Sequence, residues 1–301
     1  MKKIIILSLL TIFIFASCDK IEKPYRIEED VVDIVDTPDF PELDLDHVIQ
    51  KILIEEYTGH KCPNCPRGHK ILNKIKNTMG DTVVILAIHA NRQSEPDSAN
   101  FTTDCNIGFI NDYRTEAGNN YAGIFGIGPL PAAVFNRTDI NGIYGQSDYD
   151  NWADIANAIE RTPADLAIQI IPVFNKKQDT VFIFVKTTLL NTMNANMNLC
   201  VLLSESGIVS PQKNSDPTIG TVPIICEYTH NHMLRENISP ILGSALRISA
   251  AEESQLNVYA LPVSSKWIIS HCDIVAFVYD TDTQKVLQAE ECSFYTPETN
   301  N

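Results

Sequence analysis

An α/β region followed by an all-β antiparallel sandwich is the fold the sequence predicts, and three observations predict it. Residues 48–54 and 82–88 are short, apolar and rich in β-branched side chains, which reads as two buried strands. Between them Ile71, Leu72, Ile75 and Met79 recur at helical spacing and Gly80 follows as a terminating cap, which completes a right-handed strand–helix–strand crossover. After Pro163 strand-like segments succeed one another with no helical pattern between them, which favours antiparallel sheets packed face to face.

The chain begins with an address. Met1-Lys2-Lys3 is a positive n-region, and Ile4 to Ala16 is an almost unbroken apolar run. At about 13 residues the run is shorter than the ~20 that span a bilayer, so it reads as a signal h-region. It ends in Phe15-Ala16-Ser17-Cys18, which resembles a bacterial lipobox. That resemblance implies cleavage before Cys18 and acylation of its thiol and new amino group. Several acyl chains exceed the one-chain threshold for stable anchoring. Residues 1–17 are thus a signal peptide, Cys18 the lipidation site, and the membrane a partner through the lipid anchor.

Residues 18–47 read as an acidic tether. Nine acids and no Lys or Arg lie between Glu28 and Asp46, and Pro24, Pro38 and Pro41 interrupt the segment. Self-repulsion and proline stiffness favour an extended spacer. The full chain carries 38 acidic against 23 basic residues, a net charge of −15. Removal of Lys2 and Lys3 leaves 21 basic residues and a net of −17. Such a chain repels phosphate, which excludes nucleic acid as a partner.

Residues 48–162 form the α/β unit and carry the chemistry. The first strand leads into Glu55-Glu56-Tyr57-Thr58-Gly59-His60-Lys61-Cys62-Pro63-Asn64-Cys65-Pro66. Cys62 and Cys65 sit at the mouth of the helix, where unpaired N–H groups and the helix dipole stabilise a thiolate. Pro63 suits an early helical position, and Lys61 adds positive charge. Thiols so placed titrate at roughly 3.5–7.5, and the two-residue gap lets the second resolve a mixed disulfide. Two other uses of the pair compete with this one. The cysteines can form a static disulfide. They can also join His60 and His69 in a four-ligand metal set, with Cys65 and His69 at i,i+4 spacing. Taken alone, His69 reads as an exposed helix residue.

The unit resembles thioredoxin-like proteins over about Val48 to Arg161. Glu56 lies six residues before Cys62, where thioredoxins hold a buried acid that takes the proton of the second cysteine. Gly126-Ile127-Gly128-Pro129-Leu130-Pro131-Ala132-Ala133-Val134-Phe135 resembles the segment in which a turn leads to a cis-proline and a strand. The resemblance implies Cys62 as nucleophile, Cys65 as resolving thiol, Glu56 as proton acceptor and Pro131 beside the substrate. It departs from the pattern in having Lys61 where thioredoxins usually carry Trp, and Pro-Asn between the cysteines. An insert at about 91–124 precedes the proline segment, and its Cys105 reads as a free thiol or an extra redox partner.

At family level, the cysteine string and the later Tyr228-Thr229-His230-Asn231-His232-Met233-Leu234-Arg235 resemble outer-membrane-protein-28-related lipoproteins of Bacteroidetes. That family implies an outer-membrane lipoprotein with a thioredoxin-like domain followed by a β-sandwich. It brings no settled activity. The function expected is thiol–disulfide exchange on protein thiols and disulfides, with an unidentified redox partner and no cofactor. The other expectation is a non-catalytic adhesin or scaffold built on the same frame.

Residues 148–161 place Trp152, Ile155, Ala156 and Ile159 on one helical face, which closes the unit, and Thr162-Pro163 marks the boundary. Residues 163–301 are expected to form an all-β, immunoglobulin-like sandwich. Its strands are read at 166–170, 181–185, 199–203, 256–261, 274–279 and 286–291. No nucleophile elbow, phosphate loop or paired carboxylate occurs there. His230 and His232 are read as a hydrogen-bonding loop pair in preference to a metal site with His271. Cys200, Cys226, Cys272 and Cys292 allow 3 pairings. A final turn centred on Asp282 sets Tyr279 opposite Lys285, Phe277 opposite Leu287 and Cys272 opposite Cys292.

Overall fold

The computed structural model describes residues 35–44, 47–97, 105 and 108–294. The signal peptide, Cys18 and most of the tether lie outside the described residues. In chain order the elements are β1 (Ile52–Thr58), α1 (Cys65–Met79), β2 (Val83–His89), α2 (Glu116–Ile124), β3 (Ala132–Phe135) and α3 (Trp152–Ala158). There follow β4 (Leu166–Asn175), β5 (Thr180–Leu189), β6 (Met197–Glu205), β7 (Ile208–Lys213), β8 (Ile224–His230), β9 (Met233–Asn237) and β10 (Ser244–Ala245). The last three are β11 (Ser254–Pro262), β12 (Cys272–Asp280) and β13 (Val286–Ser293).

β1 and β2 pair in parallel, α1 makes the crossover between them, and β3 pairs antiparallel on the other side of β1. β1 starts later than the apolar run suggested and continues through Glu55, Glu56 and Thr58, all buried. Ile49 makes only an isolated bridge to Pro163. The helix starts at Cys65, so Pro66, not Pro63, occupies its first turn.

A single sheet in the order β13-β12-β6-β9-β2-β1-β3 runs through residues on both sides of Pro163, with β10 beside β6. The junction is narrow: β2 and β9 share one parallel pair, Ala87 with Met233. Side-chain alternation divides β1 between two cores. Ile52 and Ile54 pack with Leu72, Ile75 and Trp152 beneath α1 and α3. Leu53 and Tyr57 pack with Tyr121 of α2 and with Phe277 and Tyr279 of β12. A third core joins the β11-β5-β4 sheet to β6 and β12, giving sandwich-like stacked sheets after the α/β region.

The last hairpin corrects three expectations, and the first is the partner of Tyr279, which is Val286 and not Lys285. Its strands pair Phe277 with Ala289 and Ile274 with Cys292, and the register shifts between Val278 and Tyr279. The left-handed Gln284 (φ 66°) and the bulge lengthen the turn, so Phe277 does not face Leu287 and Cys272 does not face Cys292. The Cys272 carbonyl accepts instead from the Phe294 N–H at 2.9 Å. Cys105 and Cys226 form a disulfide across 121 residues, while Cys200, Cys272 and Cys292 are free thiols.

Candidate functional site

The site lies where β1 ends. Thr58 pairs with His89 at the carboxyl ends of the parallel strands, the edge at which α/β sheets leave room for function. From there Gly59 to Asn64 turn into α1. A Cβ on Gly59 would meet the Gln93 carbonyl oxygen at 2.7 Å, so only glycine lets the turn pass this close to the insert. The Cys62 N–H donates to the Gly59 carbonyl at 2.9 Å. Cys62 and Cys65 form a disulfide, with Cys62 3% and Cys65 0% exposed.

Glu56 lies on the α1 face of β1, against Gly68 and His69 of the helix that Cys65 opens. It is 2% exposed, and its Oε1 makes no hydrogen bond among the described residues. A Cβ on Gly68, three residues past Cys65, would come 3.1 Å from that oxygen. Burial holds the Glu56 pKa well above the ordinary carboxylate value. His69 is not the exposed residue its position suggested. Its side chain is 14% exposed, its Nε2 lies 3.3 Å from Glu56 Oε1, and its Nδ1 lies 2.6 Å from the Tyr228 hydroxyl. Burial lowers its pKa to about 4.

The Leu130–Pro131 peptide is cis. β3 begins at the next residue, and Ala132 pairs with Tyr57, so the register sets Pro131 beside the end of β1 from which the cysteine turn departs. Glu56, the cysteine pair and Pro131 thus gather at one end of β1.

What the sequence reading missed is a cover. β7 and β8 form a two-stranded ribbon against the cysteine turn. Gln212 Nε2 donates to the Cys62 carbonyl at 2.9 Å and to the Gly59 carbonyl at 3.3 Å. The Lys213 N–H donates to the His60 carbonyl at 2.8 Å, and the Ser215 N–H to the Pro63 carbonyl at 2.9 Å. Arg67 and Asp216 add an ion pair at 3.3 Å. On its β8 strand the ribbon is fastened to the insert by Cys105–Cys226. No signal in the sequence marked this cover, because Gln212 and His230 stand out only once their burial is known.

Beside the cover lies a buried set of imidazoles and phenols. The ring centroids of Tyr228 and His230 are 4.9 Å apart, of His230 and His89 5.5 Å, and of His89 and Tyr113 5.4 Å. Burial lowers the pKa of His60 to about 4 and of His230 to about 3, and lowers those of His89 and His232 as well. The expected hydrogen-bonding loop pair is thus corrected: His230 ends β8 as a core residue whose ring nitrogens make no hydrogen bond among the described residues. His271 lies on the turn before β12, where a Cβ on Gly207 would meet its Nδ1 at 3.3 Å. The four-ligand set at the cysteines is not assembled. The cysteines are bonded to each other, His60 Nε2 faces the Glu95 carbonyl at 3.0 Å, and His69 is engaged by Tyr228 and Thr58.

Among the described residues no helix is long and apolar enough to cross a membrane. The family model of outer membrane protein Omp28 matches residues 118–294, more than half of the chain. A search of the curated proteins finds no match. Among solved structures the chain is similar to HBP35 of Porphyromonas gingivalis, with a TM-score of 0.55 and 16% identity over 82% of this chain and 76% of that one. It is also similar to a domain of the outer membrane lipoprotein Omp28 from Porphyromonas gingivalis. There the TM-score is 0.30, with 20% identity over 44% of this chain and 89% of the other. The likeness to HBP35 is one of fold.

Proposed function

The chain belongs to the Omp28 family of outer membrane proteins, localised to the cell envelope, and from that premise we propose that it is a lipoprotein catalysing thiol–disulfide exchange. In this reading Cys18 carries the lipid, and a thioredoxin-like unit acts on disulfides of other proteins. The fold reading rests on parallel β1 and β2, the α1 crossover, antiparallel β3 and the cis-proline before it. The stacked sheets that follow support an immunoglobulin-like sandwich.

One observation carries the activity. Glu56 is buried under the helix that Cys65 opens, and its Oε1 makes no hydrogen bond among the described residues. A cysteine pair that only braces the fold has no need of such a carboxyl, whose burial opposes folding at neutral pH. In exchange, Cys62 attacks a substrate disulfide and one substrate sulfur leaves. Cys65 then attacks Cys62 Sγ, giving its proton to Glu56, and the second substrate sulfur leaves. The protein dithiol is oxidised as the substrate disulfide is reduced, and the reverse sequence oxidises a substrate dithiol.

The cover favours the second reading, a non-catalytic scaffold, because both cysteines lie under it. Insulin reduction with redox titration of Cys62/Cys65 decides between them. We expect turnover that Cys62→Ser abolishes. No turnover, with a bond that resists cellular reductants, would establish the scaffold. The anchor is tested separately: Cys18→Ala should leave the membrane fraction and lose lipid label, and unchanged fractionation would refute it.

A further inference from the structure

We propose that His69 carries the proton between Glu56 and solvent during disulfide exchange. The inference rests on the exchange reading above and concerns a step that reading leaves open. Glu56 is 2% exposed and its Oε1 makes no hydrogen bond among the described residues, so the proton it takes from Cys65 must leave through the groups and the small cavity around it before the next cycle.

The geometry supplies one. His69 is placed by α1 one turn past Cys65, with Nε2 3.3 Å from Glu56 Oε1 and 3.0 Å from Thr58 Oγ1. Its other nitrogen faces Tyr228 of β8 at 2.6 Å. Glu56, His69 and Tyr228 line a cavity of about 20 Å³, room for a single water molecule. The same cavity is lined by Asn73, Thr229 and Asn231, all exposed, and by His232, so it reaches the surface.

The ring is oriented for transfer. With its proton on Nδ1 donated to Tyr228 Oη, His69 offers the Nε2 lone pair to Thr58 and Glu56. As Cys65 attacks, the S–S bond between Cys62 and the substrate breaks, that between Cys62 and Cys65 forms, and the Cys65 proton passes to Glu56. Glu56 then passes it to His69 Nε2, and the Nδ1 proton leaves through Tyr228 or the cavity. The titratable groups facing His69 are Glu56 from β1, Tyr228 and His230 from β8, His232 from the following turn and His89 from β2. The three histidines are held neutral by burial, and His232 disfavours a lasting charge on His69. A transient carrier needs that property. His69 is a positioning residue in this scheme, acting on the sulfurs only through Glu56.

The test uses the full reduced chain in detergent, with an aromatic disulfide whose released thiolate is coloured. Cys65→Ser identifies the resolving phase as the one that vanishes. We expect His69→Gln to slow that phase about 10-fold and to flatten its pH profile, with the Cys62 phase unchanged. Imidazole should restore most of the rate in His69→Gly. A resolving phase with the same rate and pH profile in His69→Gln would overturn the relay and leave exchange standing. A wild-type chain with no phase that depends on Cys65 would overturn exchange and the relay with it. Should the His69 variants fail to fold, Tyr228→Phe and the solvent isotope effect on the wild type decide. Unchanged resolution in Tyr228→Phe and no isotope effect would overturn the proposal.

Discussion

Glu55 and Glu56 are consecutive on β1 and enter opposite faces of one sheet, and their surroundings differ completely. Glu55, 0% exposed, receives two hydrogen bonds from Arg137, Nε to Oε2 at 2.8 Å and Nη2 to Oε1 at 2.7 Å. The guanidinium lies 4.5 Å from the ring centroids of both Tyr121 and Phe277. Burial pushes the Arg137 pKa down, but the Glu55 charge and hydrogen bonds outweigh it and the net shift is upward. Two successive left-handed residues, Asn136 (φ 47°) and Arg137 (φ 49°), turn the chain after β3 so that the side chain reaches under the sheet. Among the described residues Glu56 has no such counter-ion, only an imidazole at 3.3 Å. Equal burial therefore has opposite meanings: the paired carboxylate fixes the register of β1 and β3, and the unpaired one is poised to change protonation.

The largest expected effect tests the Glu56 end of β1 against acid. His60, His69 and His230 have pKa values lowered to about 4, 4 and 3, so below pH 6.5 the unfolded chain binds protons that the folded chain refuses. Stability is complete above about 6.5 and falls with pH, by about 2 kcal/mol for each of the three at pH 5. Urea midpoints at pH 7.5, 6 and 5 should drop in step, and flat midpoints would show that these imidazoles are hydrated.

Breaking the other side comes next. Arg137→Met leaves Glu55 buried without its partner and should lower stability by about 3–5 kcal/mol. Combining it with Glu55→Leu should recover much of that loss, since the charge is then gone altogether. Non-additivity in that cycle is the readout, and simple addition would mean the pair is not coupled.

A smaller effect is expected at the cover. Gln212→Ala removes the amide that donates to the Gly59 and Cys62 carbonyls and should cost about 1–3 kcal/mol. It should also speed reduction of Cys62–Cys65 by a phosphine, measured by thiol labelling. An unchanged rate would mean the ribbon does not limit access. For Glu56→Gln the sign of the stability change is the informative part. Because the folded-state pKa is raised, Glu56 is favourable only while protonated, and its contribution is lost as pH rises from about 4.3 through the raised value. The variant should match the wild type near pH 4 and exceed it progressively at higher pH, while exchange slows about 100-fold. A variant less stable at pH 8 would mean that Glu56 is charged and satisfied.

What was legible in the sequence was local. The apolar runs of β1 and β2, the helical spacing of Leu72, Ile75 and Met79, and the cysteine pair between them all lie within 40 residues. Glu56 and Pro131 were found through a resemblance, because neither burial nor peptide isomer is written in composition. The rest depends on distant pairs. Gln212 follows Cys62 by 150 residues, Arg137 follows Glu55 by 82, and Cys226 follows Cys105 by 121. Periodicity cannot reveal such contacts. The lone pair joining β2 to β9 leaves no pattern either, so nothing in the residues around Pro163 foretold that one sheet runs through both halves.

The separation between the cysteine turn and its cover also orders events during synthesis. A chain grows from its amino end at about 5–20 residues per second, so Gln212 is made on the order of 10 s after Cys62. Cys65 is only three residues from Cys62 and needs no distant strand to meet it. The two cysteines can therefore meet before the ribbon that buries them has been made. A chain truncated before residue 208 should close the Cys62–Cys65 bond as fast as the full-length protein in pulse-labelled cells, whereas the bond from Cys105 must wait for Cys226.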